Sequence, residues 1–168
     1  MRILHVMFGL CLIAVPGCDT GTQLSGGPAF AIYRLKDQNL TASQIWDRSL
    51  DSLILSDTPF LALNDLRSYW WQTHQFSVTA SVDTQLSILR RSNGPVGGIP
   101  FVVTAGKDRI YLGAFWYAYS SLAPQVPFIE VISDPHRIQK SWNPQEQFDK
   151  RNDPRIHDAL QASGALIE

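Results

Sequence analysis

The stretch from Phe101 to Trp116 limits the folds open to this chain more than any other. Phe101–Ala105 (FVVTA) and Arg109–Trp116 (RIYLGAFW) are runs of β-branched and aromatic residues joined by Gly106-Lys107-Asp108. A connection that short makes the two runs antiparallel neighbours. In the second run Tyr111, Gly113, Phe115 and Tyr117 point one way, while Ile110, Leu112, Ala114 and Trp116 point the other. Both sets are apolar, so the pattern predicts a central strand buried on both sides.

The rest of the chain supplies partners for that hairpin. Phe30–Leu35 (FAIYRL) reads as a first strand, and Gln75–Ala80 alternates Phe76, Val78 and Ala80 with polar residues, as a half-buried strand does. Thr41 and Gln44 form a capping-box pattern, with Leu40 able to staple onto Ile45, which predicts a helix from Ala42 to about Leu50. Asn64-Asp65 ahead of Leu66, Tyr69 and Trp70 predicts a short helix. Ser81 can cap a longer one, whose Val82, Leu86 and Leu89 share a face and whose Asp83 and Arg90-Arg91 suit the helix dipole. Phe128–Ile132 reads as a further strand. From Ser133 the chain turns polar, with helix starts at Asn143-Pro144 and Asp153-Pro154 and a stop at Gly164. No internal repeat or long linker divides it. The expected fold is a single α+β domain over residues 28–168, with a largely antiparallel sheet, helices packed on one face and a polar helical C-terminal part. The order of strand, helix and hairpin from Phe76 to Trp116 resembles the periplasmic head region of the Sec-translocon accessory protein SecD, a likeness of local topology without a shared motif.

The N-terminus has a different character. Met1-Arg2 precedes an apolar run from Ile3 to Val15, then Pro16-Gly17-Cys18. A basic start, a hydrophobic stretch and a small-residue exit are the order of an export signal. The run is shorter than the ~20 residues needed to span a bilayer. Val15-Pro16-Gly17-Cys18 resembles the lipobox of bacterial lipoproteins, with Pro16 in place of the usual Ala, Ser or Thr. That resemblance makes residues 1–17 a signal peptide and Cys18 the lipid attachment site. The simpler alternative is a secretory signal cut near Gly17. Residues 18–27 are rich in Gly, Ser and Thr, as flexible tethers are. Asp19 resembles the residue that retains lipoproteins in the inner membrane of enteric bacteria. The only cysteines are Cys11 and Cys18, so acylation of Cys18 would leave the exported chain without a free thiol or disulfide.

With 14 Lys+Arg against 15 Asp+Glu, the net charge is -1, which gives nucleic acid little to bind. Two aromatic groups are candidates for ligand or partner binding. Trp116, Tyr117 and Tyr119, with Ser120 and Ser121, leave the second strand of the hairpin. Trp70 and Trp71, with His74, form the other group. Aromatic walls with a few hydroxyls suit a peptide, glycan or apolar ligand, while burial as core is the ordinary use of such residues. A serine nucleophile with His74 and Asp57 or Asp65 is the enzymatic alternative, without a G-x-S-x-G elbow. The remaining His74, His136 and His157 have no second ligand at metal spacing, so neither a metal nor a cofactor is expected. The expected function is therefore that of a cell-envelope protein, held on the membrane through Cys18 and facing the periplasm or the outside. It would bind another envelope component (protein, peptide or glycan) through its aromatic surface, the inner membrane being favoured by Asp19. The alternative is a lipid-anchored hydrolase.

Overall fold

A computed structural model of the chain describes residues 29–168. The expected signal peptide and tether, with Cys18 and Asp19, lie outside the described residues. Nine strands form one sheet: β1 (Phe30–Arg34), β2 (Leu61–Ala62), β3 (Leu66–Trp70), β4 (Gln75–Val78), β5 (Ile99–Ala105), β6 (Asp108–Trp116), β7 (Phe128–Glu130), β8 (His136–Gln139) and β9 (Leu166–Ile167). Three α-helices accompany them: α1 (Ala42–Ile45), α2 (Ala80–Arg91) and α3 (Pro154–Ser163). The strand order is β2-β1-β5-β6-β7-β8-β4-β3-β9.

The hairpin forms as its sequence predicts, with Gly106 at φ 59° turning β5 into β6. Its two faces feed two separate cores. Phe101, Val103, Tyr111 and Phe115 join one, and Val102, Leu112, Ala114 and Trp116 the other. The α+β class holds, but the sheet is mixed rather than largely antiparallel, because β6 runs parallel to β7 and β3 parallel to β9. The residues between β6 and β7, which include Pro124 and Pro127, bring the chain back so that β7 enters beside β6 in the same direction. Ala114 N–H donates to the Pro127 carbonyl and Val131 N–H to that of Trp116, both at 3.0 Å.

The sheet also curls into a half-barrel. Phe30 and Tyr69 belong to the second and eighth strands in the order, yet their ring centroids are 6.5 Å apart and edge-on. Val82, Leu86 and Leu89 of α2 and Ile156 and Leu160 of α3 join the inner core enclosed by this curl. Ala42 and Ile45 of α1 pack instead with Leu35, Leu53, Val102 and Leu112 in the outer core. Helices therefore lie against both faces, not one, because both faces of β5 and β6 carry apolar side chains that need covering.

Besides the N-cap of α2, which falls at Thr79 and leaves Ser81 inside the helix, three local expectations change. Tyr69 and Trp70 lie on a strand, and only Leu63–Asp65 forms a 3-10 turn. A β-bulge between Leu66 and Ser68 puts Leu66 and Tyr69 on the same buried face, so their spacing of three imitates a helix. The first helix ends at Ile45, although Gln44 Oε1 does accept from Thr41 N–H at 2.9 Å. The C-terminal part carries α3 and also contributes the strands β8 and β9. Asn143-Pro144 starts only a turn, because the Ser141 hydroxyl engages the Glu146 carboxylate that a capping box would use. The Asp153-Pro154 start does become α3, with Asp153 accepting from Arg155 N–H at 3.0 Å and Gly164 at φ 74°.

Gly113 sits where the hairpin is most crowded. A Cβ built there would lie 2.3 Å from the Phe101 ring and 3.0 Å from the Pro127 carbonyl. Gly113→Val is expected to destabilise the domain by about 1–3 kcal/mol through overpacking. A chemical-denaturation midpoint unchanged from wild type would contradict this packing.

Candidate functional site

The two aromatic groups differ in fate. Trp116 is 6% exposed in the outer core, its ring 6.3 Å from that of Phe128. Tyr117 is 2% exposed in the inner core, with its hydroxyl donating to the Leu89 carbonyl at 3.2 Å and 3.0 Å from Ser92 Oγ. Both are packed as core, so little of either side chain is left for the contact surface expected of it. Each has the apolar neighbours that a strand leaving the centre of the sheet must provide. Gly98, at φ 73°, lets the chain pass so close to the Trp116 ring that a Cβ there would lie 2.6 Å away. Tyr119 is exposed and donates to the Gly94 carbonyl at 2.7 Å. Ser120 Oγ donates to the Val96 carbonyl at 2.6 Å, and Ser121 is exposed. Trp116, Tyr117 and Ser120 line a recess of about 170 Å³ with Phe128 and Trp142.

Trp70 lies on the exposed side of β3. Trp71 is half-buried, edge-on to His74 at 5.6 Å and to His157 at 4.9 Å. His74 is 4% exposed and occupies the left-handed region at φ 52°, closing the connection from β3 to β4. Its Nδ1 is 3.0 Å from the Tyr69 hydroxyl. Beside it Arg151 makes a two-pronged pair with Asp149 (2.8 and 2.5 Å) and donates to the Ile138 carbonyl at 2.8 Å. Burial, then the positive charge of Arg151, lowers the His74 pKa to about 4, against a smaller upward pull from Asp149. Burial pushes the Tyr69 phenol well above its ordinary value, so that it remains a neutral hydrogen-bonding group.

His74 and Ser120 line different recesses. The Asp57 carboxylate pairs with Lys36 at 3.6 Å, and that of Asp65 accepts from Ala62 N–H at 2.8 Å. The structure thus does not assemble serine, His74 and either acid. Among the described residues there is no group of three His, Cys, Asp or Glu able to hold a metal ion, and no helix long and apolar enough to cross a membrane.

A larger concavity lies elsewhere. It measures about 680 Å³ and is lined by Trp46, Asp47 and Arg48, by Gln125–Pro127, and by residues from Asn143 to Lys150. Trp46 is 41% exposed and Phe148 80%, while Trp142, beside Asn143, is 65% exposed. A helix continued to Leu50 would carry Trp46 on its apolar face with Leu50, and the early end of α1 leaves Trp46 outside. Phe148 could have been noticed as a lone aromatic in a polar stretch, with no aliphatic or aromatic residue at strand or helix spacing to share burial.

Compared with known proteins, the chain matches no family model, no curated protein and no solved structure.

The depressed pKa of His74 has a consequence for folding. The unfolded imidazole takes up its proton near pH 6.5 and the folded one only near pH 4, so acidification through this window favours the unfolded chain. The expected loss is on the order of 3 kcal/mol by pH 4. His74→Phe should flatten this slope in denaturant titrations between pH 7 and pH 4.5. An unchanged slope would mean that His74 is free to titrate in the folded state.

Proposed function

We propose that this chain is a lipid-anchored cell-envelope protein of binding type, whose folded domain takes a neutral, hydroxyl-rich ligand of the glycan class in the Trp46–Phe148 groove. The anchor rests on the lipobox resemblance at Val15–Cys18, which makes the membrane the first partner and an envelope compartment the location. Asp19 favours the inner membrane within that reading.

One observation carries the binding half: a groove of about 680 Å³ with two exposed aromatic side chains at its sides. Large exposed apolar groups are costly to leave in water and gather at interaction sites. Aromatic faces cover the C–H faces of sugar rings, while side-chain amides can both donate to and accept from hydroxyls. Gln125, Asn143, Gln145 and Gln147 supply four amides to the lining. Asp47 and Glu146 balance Arg48 and Lys150, so the groove offers no net charge to a polyanion. Ser120 faces a carbonyl and His74 a phenol, so the geometry favours binding over the hydrolase reading.

Two measurements test the two halves. Fatty-acid labelling of the expressed chain should mark the wild type and disappear in Cys18→Ser, which should also leave the membrane fraction. Retention of the label would refute anchoring at Cys18. Detergent-solubilised full chain should be retained on insoluble polysaccharide such as chitin or purified cell-wall glycan, and Trp46→Ala with Phe148→Ala should lower retention at least tenfold. Equal retention of the folded double variant would remove the groove from the binding site.

A further inference from the structure

A second recess, sharing no lining residue with the groove, has opposite electrostatics. It measures about 320 Å³ and is lined by Gln72, Thr73 and His74 from the β3–β4 connection, by Arg137, Gln139 and Lys140 from β8 and the residue after it, and by Arg151. Three cationic side chains therefore converge in a chain whose total charge is -1. The carboxylates facing them are few. Asp149 is engaged by Arg151 through two hydrogen bonds, and Glu130 accepts from Gln139 at 3.4 Å.

Arg137 and Lys140 are different. Among the described residues neither has an ion pair, whereas Lys36, Arg151 and Arg155 do. Both are exposed, so holding them charged costs little, and β8 fixes the position of Arg137 through the pairing of Gln75 with Arg137. His74, neutral and tied to Tyr69, fills the bottom of the recess without adding a competing negative charge. Gln72, Thr73 and Gln139 surround the cations with uncharged groups able to donate hydrogen bonds.

We infer that this recess is an anion site for a phosphate group, held between Arg137 and Lys140 and backed by Arg151. A phosphate oxygen set matches the guanidinium fork of Arg137, with Lys140 acting as a point charge. A carboxyl-bearing protein segment would use fewer of these donors. The phosphate can come from a free anion or from the headgroup of an anionic phospholipid.

The test uses the full chain in non-ionic detergent micelles at constant ionic strength, followed by the backbone amide NMR signals of Thr73, His74 and Lys140. One arm titrates inorganic phosphate, and the other titrates short-chain phosphatidylglycerol doped into the micelles, with phosphatidylcholine, whose phosphate is neutralised by its own quaternary ammonium, as the zwitterionic comparison. Saturable shifts are expected in at least one of these arms, and Arg137→Ala with Lys140→Ala should weaken them at least tenfold. Lys36→Ala with Lys107→Ala removes the same charge elsewhere and should leave them unchanged. Saturation with phosphate alone identifies a free anion, with the anionic lipid alone a headgroup, and mutual competition the phosphate group common to both. Equal weakening by the control pair, or no saturation in either arm, would overturn the site.

Discussion

The edge-on contact between Phe30 and Tyr69 sets the shape on which everything else depends. It joins strands that are far apart in the sheet order, so the sheet must curl, and the curl makes a concave side deep enough for α2 and α3 to enter. Tyr69 thereby becomes a fully interior residue with a hydroxyl to satisfy. His74 satisfies it, and the Arg151–Asp149 pair closes the polar end of the same cluster. Buried polar groups are costly when unpaired and rigid when paired, so this end of the domain is built to hold its geometry.

The outer face follows from the same strands. Because β5 and β6 present apolar side chains in both directions, α1 and the loop carrying Leu53 must cover the side that the curl leaves open. That cover is small. Where it stops, Trp46 stands partly in solvent beside Val126 and Phe148, and the groove begins. The recess at Arg137 and Lys140 arises differently, from a strand whose inward residue is Ile138 and whose neighbours must therefore point outward. One candidate site thus marks the limit of the outer core and the other the polar side of β8. They have different electrostatic characters for that reason.

The elements readable in the sequence were those whose apolar period matched their final burial. β1, β4, the β5–β6 hairpin, α2 and α3 carry such periods together with end signals at Gly106, Asp153 or Gly164. β3 was misread because its bulge places Leu66 and Tyr69 at helical spacing on one face. β8 is short and polar outside Ile138, and β9 has only the two residues Leu166 and Ile167, so no local pattern announces them, and only strands already in place give them partners. The candidate site was less legible than the fold. Trp116 and Tyr117 are conspicuous in sequence but belong to the two cores, whereas Trp46, which lines the groove, has no pattern that separates it from packing residues, and only its polar surroundings set Phe148 apart.

By itself the amino-acid order determined a hairpin with two apolar faces, the capped start of α3 at Asp153-Pro154, and a near-neutral charge. These are local properties, decided by side chains a few residues apart. Tertiary structure alone decided the curl of the sheet, its parallel pairs, and which aromatic residues remain in water. Those depend on contacts between residues distant in the chain, such as Phe30 with Tyr69, whose strength comes from burial that no single segment can provide.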